Sequence, residues 1–405
     1  MVDTLPWDQF KPQTPVSPDQ PEPVLVVGAG LAGCWMARTL AESGIQVVLL
    51  EAGQTAACGA SSNPAGIAKP FITRSPSLAM NFYIEAHHYL CKQLREWKLE
   101  GDCNYAAVGV VQLVNEPFGA SDQFDNLSGP QMQDALGMPY NGHGLLFADA
   151  GWLNPSALCR CLLNHERIDL RTNSPVQAID RSPDALWQVK LPENKCIHAN
   201  HVVIASGMTA NKLDPANHLD VIPARGQISR FALINREQAP KHVISGRQYL
   251  IPDGDTVIVG ATFERHSQDA SVRILDDEEN LAGLTRMLPH LQVEATAVEA
   301  FAGIRATTPD RLPLVGPLPD ASACAEIYAD LHHGRNVASY PHLPIHSGLF
   351  IIGGLGSRGI VTAPFAAFLL ANYMTGGERI SAWAPLLNPA RFQIRRLKRS
   401  LSTWR

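Results

Sequence analysis

The chain has 405 residues, 45% of them hydrophobic and 18% charged, with a formal net charge of −5. Such a composition excludes a disordered or collagenous chain, and the acidic balance argues against a protein coated in basic surface for nucleic acid. No run reaches the roughly 18 apolar residues of a bilayer span and no basic-then-apolar leader opens the chain, so a soluble, cytoplasmic protein without membrane contact is expected.

Residues 1–23 are rich in proline and poor in aliphatic side chains, which predicts an extended arm or linker. PVLVVGAG then reads as a buried parallel strand entering a glycine turn, LAGCWMARTLAESG as a helix with a glycine stop, and QVVLLEA as a second strand, together a βαβ unit. GASSNPAGIAKP, Gly59 to Pro70, is a small-residue loop, and SLAMNFYIEAHHYLCKQLREW a long amphipathic helix. HVVIASG is another buried strand. From about 216 to 300 the pattern changes to alternating strands and turns, with Asp253-Gly254 a turn signal, which predicts an antiparallel second lobe. GLFIIGGLGSRG and a helix from about Ala363 to Met374 return to the first lobe.

Gly28-Ala29-Gly30-Leu31-Ala32-Gly33 is a G-x-G-x-x-G turn between strand and helix, and Glu51 ends the next strand. The glycines let the backbone approach a pyrophosphate at the positive helix end, and Glu51 can accept ribose hydroxyls. FAD reaches farther than a nicotinamide cofactor and needs further glycine-rich contacts. Ala205-Ser206-Gly207 and Gly353 to Gly359 (GGLGSRG) have that chemistry, and Gly59, Ala60, Ser61, Ser62, Asn63 and Gly66 suit the flavin side of the pyrophosphate. Tyr249 is a candidate for the substrate pocket, or an ordinary packing residue.

The eight cysteines form no C-x-x-C pair and read as reduced structural thiols. His332, His333, His342 and His346 lack a partner at ligand spacing and read as loop residues rather than a metal site, so no metal is expected. Asp276-Asp277-Glu278-Glu279 reads as a solvated helix start. The closing ARFQIRRLKRSLSTWR, with Arg391, Arg395, Arg396, Lys398, Arg399 and Arg405, reads as a basic tail, solvated or meeting phosphates.

VLVVGAGLAG, the Glu51 strand, GASSNPAGIAKP, FAGIRATTPDRLPLVG and GLGSRGIVTAP, in that order, resemble the D-amino-acid oxidase and glycine oxidase superfamily. More narrowly, GASSNPAG, YLIPDGDTVIVGATF, GLGSRG and LNPARFQIRRLKR resemble the FAD-dependent oxidoreductase half of the bifunctional tRNA 5-methylaminomethyl-2-thiouridine biosynthesis family. The resemblance implies a Rossmann-like α/β FAD-binding domain with an interleaved α+β, antiparallel-sheet substrate domain. It assigns 24–97, 140–215 and 300–385 to the first and 98–139 and 216–299 to the second, with 386–405 as the basic tail. It adds Ala52, Val176, Gly303, Gly354, Gly356, Ser357, Arg358, Gly359 and Ile360 to the cofactor contacts. It also places Arg305 as the carboxylate-binding arginine and Arg358 as a neighbouring flavin-face arginine.

The implied reaction removes the carboxymethyl group from 5-carboxymethylaminomethyl(-2-thio)uridine at the tRNA wobble position, giving the aminomethyl nucleoside and glyoxylate. Only the proline-rich arm precedes the first strand, so a following methylation is expected of a separate tRNA methyltransferase. The alternatives are an oxidase of free glycine, sarcosine or D-amino acids, and a non-catalytic tRNA-binding flavoprotein. A flavin hydroxylase is disfavoured, because GGLGSRG stands where those enzymes usually carry a Gly-Asp pair.

Overall fold

The computed structural model describes residues 5–399 except 11–12, 100, 216–217 and 334–336. The chain forms two compact units. One comprises Met1–Cys58, Leu162–Ile222 and Ala306–Arg405, the other Gly59–Cys161 and Pro223–Arg305.

The first unit is built on a six-stranded sheet in the order Leu314–Pro319, Ile345–Gly353, Val202–Ile204, Val24–Val27, Val47–Leu50, Ile168–Arg171. All neighbours run parallel except the first pair. Val24–Val27 is buried throughout, as a central parallel strand covered on both faces must be. Two helices, Leu31–Glu42 and Gly359–Met374, pack against each other on this sheet. A small antiparallel sheet, Ala178–Arg181, Trp187–Lys190 and Cys196–Ala199, adds Trp187 and Val189 to the core.

The second unit holds a nine-stranded sheet in which the strands Ile222–Ala232, Thr256–Gly260 and Tyr249–Asp253 lie side by side. Glu299–Thr307 also pairs with Ile222–Ala232. Among the pairs with a defined register, Val243–Ser245 with Val110–Val114 is parallel and the others are antiparallel. The helix Leu78–Glu96 is capped by the Ser77 hydroxyl, which accepts from the Met80 N–H.

Three expectations are revised by packing. The helix predicted at 77–97 and the residues 140–161 belong to the second unit. Met80 and Ile84 press on that unit's core, and Gly66–Ala68 pairs with Gly151–Leu153. The proline-rich segment is docked rather than a free linker: Trp7 is buried edge-on against Tyr328, Val16 N–H bonds the Met374 carbonyl, and Gln13 accepts from the Gly348 N–H. Finally, the basic run is a helix, Arg391–Lys398, with Phe392 and Ile394 buried.

Its charges are largely committed. Buried Arg391 makes two 2.9 Å hydrogen bonds to the Asp310 carboxylate, Arg395 joins the same carboxylate at 3.1 Å, and Arg396 takes Asp220 at 2.8 Å. Lys398 lies 4.3 Å from the centre of the Trp7 ring. Arg405 lies outside the described residues.

Candidate functional site

In the first unit the cofactor candidates gather at the carboxyl ends of adjacent parallel strands. Gly28 has φ +102°, and a Cβ there would meet the Ala205 carbonyl at 2.7 Å and Ser206 Cα at 2.8 Å. A Cβ on Gly33 would overlap the Gly28 carbonyl oxygen, so this glycine lets the helix close on the turn. Gly30 caps the helix that carries buried Leu31 and Ala32.

Glu51 Oε2 accepts the Ala29 N–H at 2.7 Å and Oε1 the Gly53 N–H at 2.8 Å, with Ala52 exposed between. Each oxygen keeps a lone pair for a ribose hydroxyl. Val176 packs against the same core. The Ser206 hydroxyl is buried and has no hydrogen-bond partner among the described residues, and a Cβ on Gly207 would project into open space. Gly354 and Gly356 have φ +64° and +59°. Ser357 is exposed, half-buried Arg358 caps the helix that Gly359 and buried Ile360 begin, and Gly359 approaches Leu31. A buried hydroxyl awaiting a partner, beside a strand-to-helix turn cleared of side chains, fits a dinucleotide pyrophosphate and ribose.

The second unit contributes a different set. Phe301, Gly303 and Arg305 alternate along one strand and Gly226 and Ile228 along its neighbour, and with Ala60 and Asn63 they line a small, open cleft. Three glycines hollow this face. A Cβ on Gly226 would lie 2.6 Å from Cζ of Arg305, one on Gly260 2.6 Å from Ile228 Cγ2, and one on Gly303 3.2 Å from the Phe301 ring and 3.6 Å from Ala60 Cα. The Arg305 guanidinium therefore lies over Gly226, where the neighbouring strand has no side chain.

Tyr249 pairs with Gly260, which pairs with Ile228, so the phenol shares this face. Its side chain hydrogen-bonds Asn63; burial raises its pKa, and Arg305 and Asn63 offset part of that rise. Burial lowers the Arg305 pKa against a partial offset from Tyr249. No carboxylate pairs with Arg305 among the described residues.

The loop Gly59–Asn63 lies in this unit too. The Ser62 hydroxyl donates to the Gly59 carbonyl at 2.8 Å, the Ser61 carbonyl accepts from Ser156 Oγ at 3.1 Å, and Gly66 opens the strand paired with Gly151–Leu153. The structure thus brings Arg305, Tyr249, Asn63, Ala60 and Gly303 together, whereas Arg358 sits with the first unit's glycine turns.

Sequence reasoning missed Gly226, Gly260, Ile228 and Phe301. It also misread the acidic run: Asp276 pairs with buried Arg225 at 2.7 Å, and Asp277 accepts from Gln227 at 2.8 Å and Ser229 at 2.5 Å. These bonds brace the back of the strand that carries Gly226. Of the histidines, His332 and His333 are exposed with ring centres 3.8 Å apart, exposed His342 lies in the loop, and His346 packs edge-on against Trp187.

A Rossmann-type turn with an acidic strand end, joined in one chain to a sheet that offers an unpaired guanidinium, defines a flavin-type oxidoreductase. The chain belongs to the FAD dependent oxidoreductase (DAO) family, whose profile matches residues 23–373, and FAD is its cofactor. It is 33% identical to the tRNA 5-methylaminomethyl-2-thiouridine biosynthesis bifunctional protein MnmC of Pseudomonas putida (strain W619), over 95% of this chain and 61% of that protein. The chain thus spans about three fifths of the curated relatives' length.

Two solved structures share the fold. Glycine oxidase from Geobacillus kaustophilus has a TM-score of 0.70 at 20% identity, covering 90% of this chain and 97% of that one. Iminodiacetate oxidase from Chelativorans sp. BNC1 has 0.69 at 21%, covering 88% and 96%. No helix among the described residues is long and apolar enough to cross a membrane.

Proposed function

We propose that this chain oxidises a glycine-like group borne on tRNA: the carboxymethylamino end of 5-carboxymethylaminomethyl(-2-thio)uridine at the wobble position. The observation that carries the reading is Arg305, a half-buried guanidinium with no acidic partner among the described residues, seated over Gly226 at a glycine-lined cleft. A planar, permanently charged fork in that setting is suited to a carboxylate, which it holds and orients in two hydrogen bonds. The tRNA part of the reading is supported by the 33% identity to a protein named for tRNA 5-methylaminomethyl-2-thiouridine biosynthesis.

FAD, when bound, supplies the two-electron acceptor. The residues of the first unit that would hold it are Gly28, Gly30, Gly33, Glu51, Ser206 and the turn Gly354–Gly359. Arg305 fixes the carboxylate, and with it the adjacent CH2. The absent side chain at Gly226 makes room for the guanidinium itself and that at Gly260 for Ile228, and Tyr249, joined to Asn63, forms the wall beside the guanidinium. A C–H bond of that CH2 breaks, the electron pair leaves as hydride, and the neutral amine nitrogen forms the C=N bond and loses its proton. Water adds to this carbon, the C–N bond breaks, and the products are glyoxylate and a primary aminomethyl nucleoside. That amine is a nucleophile, which suits a following methyl transfer.

The test is anaerobic mixing of the flavin-loaded protein with tRNA bearing the carboxymethylaminomethyl nucleoside. Bleaching of the yellow flavin band, with release of one glyoxylate per nucleoside converted, is expected. Bleaching by sarcosine or glycine but not by tRNA would replace this reading with a free-amine oxidase. Tight tRNA binding without bleaching would replace it with a binding protein.

A further inference from the structure

Strand register places two more side chains on the face that carries Arg305. Arg225 pairs with Glu264 and Ala224 with Arg265; continued by one residue, the ladder sets Phe263 opposite Gly226. Thr262 and Glu264 turn to the opposite face, where the Thr262 hydroxyl accepts the Gln227 N–H at 3.0 Å and Glu264 pairs with Arg273 at 2.9 Å. Phe263 and Arg265, alternating with them, share the face of Gly226 and Arg305.

Phe263 is 52% exposed and Arg265 is exposed. Among the described residues Phe263 has no ring contact and Arg265 no acidic partner. Glycine at 226 puts no side chain of its own across the strand from the phenyl ring, and the Arg305 guanidinium lies over that position. An exposed ring beside a carboxylate anchor, followed two residues later on the same face by an uncompensated cation, matches what a single-stranded nucleotide presents: a flat base and a phosphate. A free amino acid offers neither. The arginines of the Arg391–Lys398 helix are a poorer phosphate site, since Asp310 and Asp220 already hold three of them.

We propose that Phe263–Arg265 is the RNA-reading edge of the site, with Phe263 stacking on a base of the anticodon loop and Arg265 meeting a phosphate. This rests on the tRNA reading above. The test uses flavin-loaded wild type, Phe263→Ala, Phe263→Trp and Arg265→Ala. Binding to a fluorescent anticodon stem-loop is measured between roughly 50 and 200 mM salt. Flavin content and melting temperature serve as folding controls.

Phe263→Ala should bind about ten-fold more weakly, with Phe263→Trp restoring affinity. Arg265→Ala should lower the slope of log affinity against log salt by about one. Unchanged affinity in Phe263→Ala together with an unchanged slope in Arg265→Ala overturns the inference. If wild type also oxidises modified tRNA, that result moves the RNA-reading edge elsewhere and leaves the proposed reaction standing. If the variants lose affinity as expected but wild type never bleaches with modified tRNA, the edge stands and the assigned reaction falls.

Discussion

Replacing Gly226 with alanine asks whether Arg305 is held where a carboxylate needs it. A Cβ at 226 would lie 2.6 Å from both Cζ and Nη2 of Arg305, against ordinary contact from 3.4 Å. The backbone there is outside the positive-φ region, so alanine is accepted locally, and what it strikes is the end of a flexible side chain. The guanidinium therefore retreats by roughly 1 Å while the sheet stays, a displacement large enough to spoil a two-point carboxylate contact. Losing one charged hydrogen bond of about 1.5–3 kcal/mol corresponds to a roughly ten- to hundred-fold rise in KM. Anaerobic flavin reduction at varied N-alkylglycine concentration measures it, with flavin content and Tm as controls. An unchanged KM would refute the idea that this seat positions the substrate. A fall in Tm of more than about 5 °C would instead show that the strand itself cannot take a methyl group.

Two further substitutions probe the scaffold. Arg391→Ala strands the half-buried Asp310 carboxylate and should cost about 3–5 kcal/mol in denaturant unfolding, whereas exposed Arg395→Ala should cost at most about 1 kcal/mol; lost RNA affinity at unchanged stability in Arg391→Ala would return this helix to a phosphate-binding role. His87 is buried, and burial, aided by the charge of His88, lowers its pKa to about 4. The unfolded chain takes up a proton at this site near pH 6.5 and the folded one does not. Stability is therefore full above about pH 6.5 and falls as pH drops toward 4, by about 3 kcal/mol in all. Denaturant midpoints across this range should flatten in His87→Gln, and an identical slope in both proteins would assign the acid sensitivity to other groups.

The features legible in the sequence are those whose meaning is local. GAGLAG sits between a strand and a helix, so its glycines announce a turn, and Glu51 follows at the next strand end. Where the reading erred, the deciding partner was far along the chain. Arg391 and Arg396 look like a solvated basic run until Asp310 and Asp220, 81 and 176 positions away, are brought to them. Asp277 looks like an exposed helix start until Gln227, 50 positions back, is placed beneath it. Arg305 was found through resemblance alone, because nothing nearby marks GIRATT as an anchor. Gly226, Gly260 and Phe263 acquire their roles only from cross-strand register, and a glycine in a strand-like run reads equally well as a bulge.

The central strand Val24–Val27 draws its flanks from Val47–Leu50 and Val202–Ile204, and the next layer outward from Ile345–Gly353. During synthesis the ribosome therefore releases the middle of this sheet some three hundred residues before its far side. The nascent segment must wait with a bare hydrogen-bonding rim and an apolar surface. Holding chaperones have their natural target in that interval, and a chain cut short before Ile345 would yield an aggregating fragment rather than a weakened enzyme.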